Sequence, residues 1–226
     1  SKEITADHSY YDFADLVSKA LGWIVLAFTY RGCGTSEGQF SLQGWLDDTV
    51  NAAKDLNLNS KVNSIWLAGF GTGGALALTA ASQCEEIDGV AAISAPSDFH
   101  DWGQDPDQLL DYSRVVGAIS DPEFPKDRNS WVTEIGSIDP LKAAEGMSDK
   151  PLLVVHGASD QVVPSFDARV IADAHGSADL RIIDGGTHRL RFDPRAMAII
   201  IGWLDRAHRL QTRNNTPSSH SMPKGK

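Results

Sequence analysis

Hydrophobic and polar positions follow two rhythms along this chain. Tyr10, Tyr11, Phe13, Leu16, Val17 and Ala20 recur at helical spacing, and Gly22 stops that run. Residues 23–28 are continuously apolar, which predicts a strand buried on both faces. Leu42, Trp45, Leu46, Val50, Ala53 and Leu56 mark a second amphipathic helix. An apolar strand over 64–70 then runs through a glycine-rich turn into a helix. Strands are predicted again at 89–94, 151–156 and 180–183, with helices near 165–175 and 194–209.

Strands that alternate with helices predict an α/β fold: a mostly parallel sheet with helices on both faces. Ligands of such sheets sit at the carboxyl ends of the strands. One stretch breaks the rhythm. Residues 97–149 separate two strands and are rich in Asp, Pro, Trp and Ser, with short helical pieces at 109–116 and 141–144. They read as a small lid inserted over the active face of a single domain spanning 1–213. Residues 214–226 are polar and Ser/Pro-rich, and a disordered tail is expected there.

Composition narrows the function classes. A chain of 226 residues has room for one substantial core. Its net charge of −10 opposes binding to nucleic acid or to an anionic membrane surface. The charge is uneven: residues 1–180 carry 11 Lys/Arg against 27 Asp/Glu, and residues 181–226 carry 9 against 3. A solvated helix face followed by a tail accounts for that basic end. The only cysteines are Cys33 and Cys84, so neither a disulfide framework nor a cysteine metal site is expected. No signal-peptide pattern and no apolar run of membrane-spanning length occur, so a cytoplasmic protein is expected, with no metal and no cofactor.

Candidate chemistry gathers after the strands. Gly69, Phe70, Gly71, Thr72 and Gly73 have the layout of a G-x-S-x-G nucleophile elbow, with Gly71 where the serine would stand. Asp160 follows the strand at 151–156, and His188 follows the strand at 180–183 through Gly185 and Gly186. Nucleophile, acid, histidine is the chain order of such hydrolases. A histidine base must reach the nucleophile, and a carboxylate must hold its other ring nitrogen. Asp160 and His188 can meet the second requirement; Gly71 leaves the first unmet.

On these residues, and on the turn Tyr30, Arg31, Gly32, Cys33, Gly34, Thr35, Ser36, Glu37, Gly38, the chain resembles the α/β-hydrolases over most of residues 8–210. Within them it is similar to the bacterial serine aminopeptidase and esterase-like branch. The resemblance implies that Asp160 and His188 are the acid and base of a triad, and that the Thr72 backbone N–H is an oxyanion donor. It also implies a second donor from a strand ending in His-Gly ahead of the first helix, and no such residues precede Tyr10 here. Thr72 and Cys33 are alternative nucleophiles, Asp98 is a second candidate acid, and Arg189, Arg191 and Arg195 are candidate anion-binding groups.

Three functional readings follow. The chain is a pseudo-hydrolase that binds a small acyl- or ester-like ligand or a partner. Alternatively, the natural protein is an active serine hydrolase and Gly71 an inactivating variant. Or His188 and Asp160 activate water with no serine at all.

Overall fold

The computed structural model describes residues 6–60, 62–100, 104–115, 117–119 and 121–214. Helix α1 (Ala6–Leu21) ends at Gly22, whose N–H donates to the Ser18 carbonyl at 2.8 Å. Helix α2 (Leu42–Ser60) leads into β1 (Ile65–Phe70), α3 (Thr72–Gln83) and β2 (Ile87–Ile93). Helices α4 (Pro106–Val115), α5 (Arg128–Ile135) and α6 (Pro140–Gly146) follow. Then come β3 (Leu152–Gly157), α7 (Ser165–His175), β4 (Asp179–Ile183), a single 3-10 turn (Leu190–Phe192) and α8 (Pro194–Asn214).

The four strands lie in the order β1-β2-β3-β4, and every neighbouring pair is parallel. Phe70 pairs with Ile93, Ile93 with Val155, and Gly157 with Ile183, so the strands end nearly level. Side chains alternate across a strand, and the alternation divides the core in two. Val90, Ala92, Leu152 and Val154 join the cluster beneath α2, α3, α6 and α7. Ala91, Ile93, Leu153 and Val155 join the cluster beneath α1 and α8. Helices therefore cover both faces, as the alternation of elements predicts.

Two differences from the sequence reading have physical causes. Residues 23–28 do not join the sheet. Trp23 and Val25 pack beside Trp66 and Phe70, while Ile24, Leu26 and Phe28 are 70%, 46% and 42% exposed. A strand buried on both faces needs cover on both sides, and this run has cover on one. The second difference lies in residues 97–149. Their last part, α6, packs between α3 and α7 with Ala143 and Ala144 buried, and it carries the chain across from β2 to β3. Helix α5 was not among the expected pieces; Asp127 caps it by accepting from the Asn129 and Ser130 N–H groups. Leu109, Ile119, Trp131, Ile135 and Ile138 enter the same core cluster as α2 and α3. The tail expected over 214–226 lies, apart from Asn214, outside the described residues. Among those residues no helix is long and apolar enough to cross a membrane.

The β1–α3 turn is the tightest point of the fold. A Cβ on Gly69 would overlap the Gly73 carbonyl and lie 2.6 Å from the Gly74 nitrogen, both backbone atoms that cannot step aside. Gly69→Ala should therefore lower unfolding free energy by about 3 kcal/mol, the upper part of the usual overpacking range. Gly202→Ala, in α8 with nothing near the added carbon, should raise it by about 1 kcal/mol through helix propensity. Urea unfolding of both variants beside the parent checks the pair.

Candidate active site

Gly71 caps the N-terminus of α3 with φ 56° and ψ −127°. That backbone region is open to glycine and strained for any residue with a Cβ. The turn is held on both sides: Gly71 N–H donates to the Ile93 carbonyl at 2.8 Å, and its own carbonyl accepts from Gly74 N–H at 2.9 Å. A Cβ built on Gly71 would lie 3.5 Å from His188 Nε2 and 3.8 Å from Cε1, an ordinary contact. A hydroxyl one bond further on would stand within hydrogen-bond reach of Nε2. Thr72 opens α3, where a helix leaves its first N–H groups without intrahelical partners.

The structure brings Asp160 and His188 together. Asp160 Oδ2 accepts from His188 Nδ1–H at 2.9 Å, and Nε2 is the ring nitrogen on the Gly71 side. The Asp160 side chain has no exposed surface, whereas that of His188 is 27% exposed. The remaining Asp160 contacts come from two further sources. Val162 and Val163 N–H donate to Oδ1 at 2.8 and 2.9 Å. His156, on β3 and fully buried, places Nε2 3.2 Å from Oδ2 and 3.0 Å from the Val163 carbonyl. The Val163 carbonyl accepts, so His156 donates to it from Nε2, and its buried Nδ1 is left without a partner. The loops that carry the pair are tied together by Ala158 N–H to the Ile183 carbonyl (2.9 Å) and Ser159 N–H to the Gly186 carbonyl (2.8 Å).

His156 escaped the sequence reading. It sits in a wholly buried strand, where a histidine looks like packing. The available signal was its position four residues before Asp160, with the strand end between them.

The other candidates lie elsewhere in chemical terms. Asp98 is exposed and accepts from the His100 N–H at 2.8 Å, within its own loop; it is not the partner of His188. Cys33 is half-buried with Sγ 3.6 Å from the Ala118 carbonyl, and burial pushes its thiol pKa up, which suppresses the nucleophilic thiolate. Its turn is anchored by a fork from Arg31 to Asp48, which holds that carboxyl below its ordinary range. Arg195 is paired with Asp193 at 2.7 Å and also donates to the Asp184 carbonyl. Arg189 is exposed. Arg191 lies between the rings of Tyr10 and Phe192. Ser94, one residue beyond Ile93, has a left-handed φ of 50° and a buried hydroxyl without a partner; at 1% exposure it is closed to substrate. Among the described residues no three His, Cys, Asp or Glu side chains are grouped as metal ligands.

Asp160 is the group whose loss should be felt most in stability. Asp160→Ala removes the acceptor of three donors and should cost about 2–4 kcal/mol, since buried donors left unmade are expensive. His188→Ala leaves the carboxylate with two of its donors and should cost about 1 kcal/mol. Chemical denaturation of the two variants measures the difference, and equal losses would show that the carboxylate is not the centre of this network.

No protein-family model matches the chain. In sequence it is 30% identical over 179 residues to an uncharacterized protein, YfhR, of Salmonella typhimurium, an alignment covering 74% of this chain and 56% of that protein. YfhR of Escherichia coli K12 is also 30% identical, over 174 residues, with 76% and 55% covered. The chain thus spans about half the length of the curated relatives it matches. In structure it resembles the esterase Pf2001 of Pyrococcus furiosus, with TM-score 0.68, 20% identity, and 89% and 76% of the two chains covered. It also resembles Est1E of Butyrivibrio proteoclasticus, solved with ferulic acid bound, with TM-score 0.63, 21% identity, and 89% and 83% covered. A protein of unknown function from Agrobacterium tumefaciens, described as an α/β hydrolase, aligns with TM-score 0.58, 18% identity, and 93% and 80% covered. What these proteins share with this chain is its architecture, and the chain has the α/β-hydrolase fold.

Proposed function

We propose that this chain is a pseudo-hydrolase: it binds a small acyl- or ester-like ligand at the carboxyl ends of its strands and does not turn it over. The observation that carries the reading is Gly71. The elbow conformation, the His188 and Asp160 pair and the first N–H of α3 are all in place, while the atom that would attack is missing. Loss of a serine nucleophile costs on the order of 10⁶ in turnover, whereas binding and oxyanion contacts persist without it. A cleft that keeps those contacts is suited to holding a carbonyl compound. The likeness to esterases supports an ester-like ligand class.

Restoring the missing atom tests the reading. The chain as it stands should not react with a fluorophosphonate probe. Gly71→Ser should be labelled at that serine and should hydrolyse small activated esters. His188 Nε2 would take the serine proton, Asp160 would hold the imidazole in its tautomer, and Thr72 N–H would meet the developing oxyanion. The same substitution should lower stability by roughly 1–2 kcal/mol, because serine must adopt the strained elbow backbone. Labelling of the unsubstituted chain at any serine, Ser94 included, would show that the nucleophile is present elsewhere. A folded Gly71→Ser variant that hydrolyses no ester, amide or thioester would show that the catalytic geometry has been lost beyond the elbow.

A further inference from the structure

Arg191 is a cation with no ion pair among the described residues. It lies three residues after His188, in the 3-10 turn. Its guanidinium carbon is 5.4 Å from the centre of the Tyr10 ring and 4.8 Å from that of Phe192. The Tyr10 ring in turn meets Phe70 edge-on at 5.9 Å, and Phe70 directly precedes Gly71. Arg191 is thus tied to the elbow on one side and to the histidine loop on the other. Among the described residues it has no ion pair, and its Nε is buried without a hydrogen-bond partner. Its neighbour Arg195 is occupied by the Asp193 carboxylate and the Asp184 carbonyl, so Asp193 is already taken.

A guanidinium held between two aromatic faces keeps its charge and its planar fork of donors. Aromatic rings cannot accept from a buried Nε–H as a carboxylate can. A carboxylate can, in the two-point arrangement that arginine favours. Phe192 is 47% exposed, so its ring can swing out to open that edge of the guanidinium. We propose that Arg191 is a carboxylate-recognition group at the rim of the site, and that the ligand is an acyl compound carrying a free carboxylate, of the half-ester type. The inference rests on the ligand-binding reading above and adds the charge of the ligand to it.

The test compares the monoethyl and diethyl esters of succinic, adipic and suberic acids, titrated into the full chain at neutral pH by calorimetry. The two sets differ in one carboxylate. At least one half-ester should bind on the order of tenfold tighter than its diester, the usual worth of a charge-assisted pair. Arg191→Gln should abolish that preference and leave the diester affinity within about twofold. Arg191→Lys, which keeps the charge but not the fork, should retain part of it. Arg189→Gln, the same charge change at an exposed neighbour, should retain all of it. Equal binding of half-esters and diesters, or a preference that survives in a folded Arg191→Gln variant, overturns the assignment of Arg191 and leaves the ligand-binding reading standing. Binding of neither set overturns both. Within the Gly71→Ser chain the same preference should be read independently as kcat/KM for half-ester over diester.

Discussion

A carboxylate with no exposed surface has to be surrounded by donors, and the upper face of this molecule is arranged around one such group. Asp160 receives three: two backbone N–H groups of its own loop and His188 from the loop beyond β4, with His156 at the end of β3 packed 3.2 Å away. Any one of these left unmade would carry a desolvation cost of about 1–3 kcal/mol. The network consequently fixes the relative position of β3, β4 and the histidine loop whether or not any reaction takes place. This explains why an acid–histidine pair can stand in full hydrogen-bonded order above an elbow that holds no nucleophile. The serine hydroxyl is not among the donors to Asp160, so its absence leaves the carboxylate satisfied.

The elbow obeys a separate constraint. Parallel strands feeding helices on one side must turn sharply, and the turn from β1 into α3 is so close that the Gly69 α-carbon lies against the backbone of Gly73. Gly69 is closed to any side chain, and Gly71, two residues on, takes φ 56°. Only at that residue do the demands of fold and chemistry conflict. A serine there would carry strain of about 1–3 kcal/mol, and glycine relieves it without moving the turn.

The legible parts of the chain are those where one physical rule acts alone. Strand–helix alternation gave the parallel sheet, because side-chain periodicity and burial agree in β2 and β3. Gly69 and Gly71 marked the turn, the first because a Cβ there would overlap the Gly73 carbonyl and the second because of its positive φ. Asp160 and His188 were legible from their places after successive strands, and the structure puts them 2.9 Å apart. Reading failed where a second partner decides the outcome. Residues 23–28 have the composition of an inner strand, but the cover that would bury both faces is not there. His156 has the setting of a packing residue, and only the return of the Asp160 loop, with the Val163 carbonyl, gives its ring an acceptor. Helix α5 has a cap at Asp127 but little apolar periodicity, and its place depends on Trp131 and Ile135 meeting the core.

Loss of the nucleophile also changes what the remaining groups can accomplish. In an active hydrolase the interactions that matter are those stronger in the transition state than in the ground state. On the ligand-binding reading, with no bond to the carbonyl carbon, no tetrahedral oxyanion would form, and the Thr72 N–H would meet only a neutral carbonyl oxygen. His188 Nε2 would then have no serine proton to take. Contacts at the reacting centre therefore become weak and nearly uniform, and discrimination between ligands must come from groups beyond it. The aromatic and cationic cluster of Tyr10, Phe70, Arg191 and Phe192 stands beside the elbow, and its cation has no ion pair among the described residues. Arg191 itself comes from the basic end of an otherwise acidic chain. There an anionic ligand would find attraction nearby and repulsion from the rest of the surface, which favours one approach and one orientation.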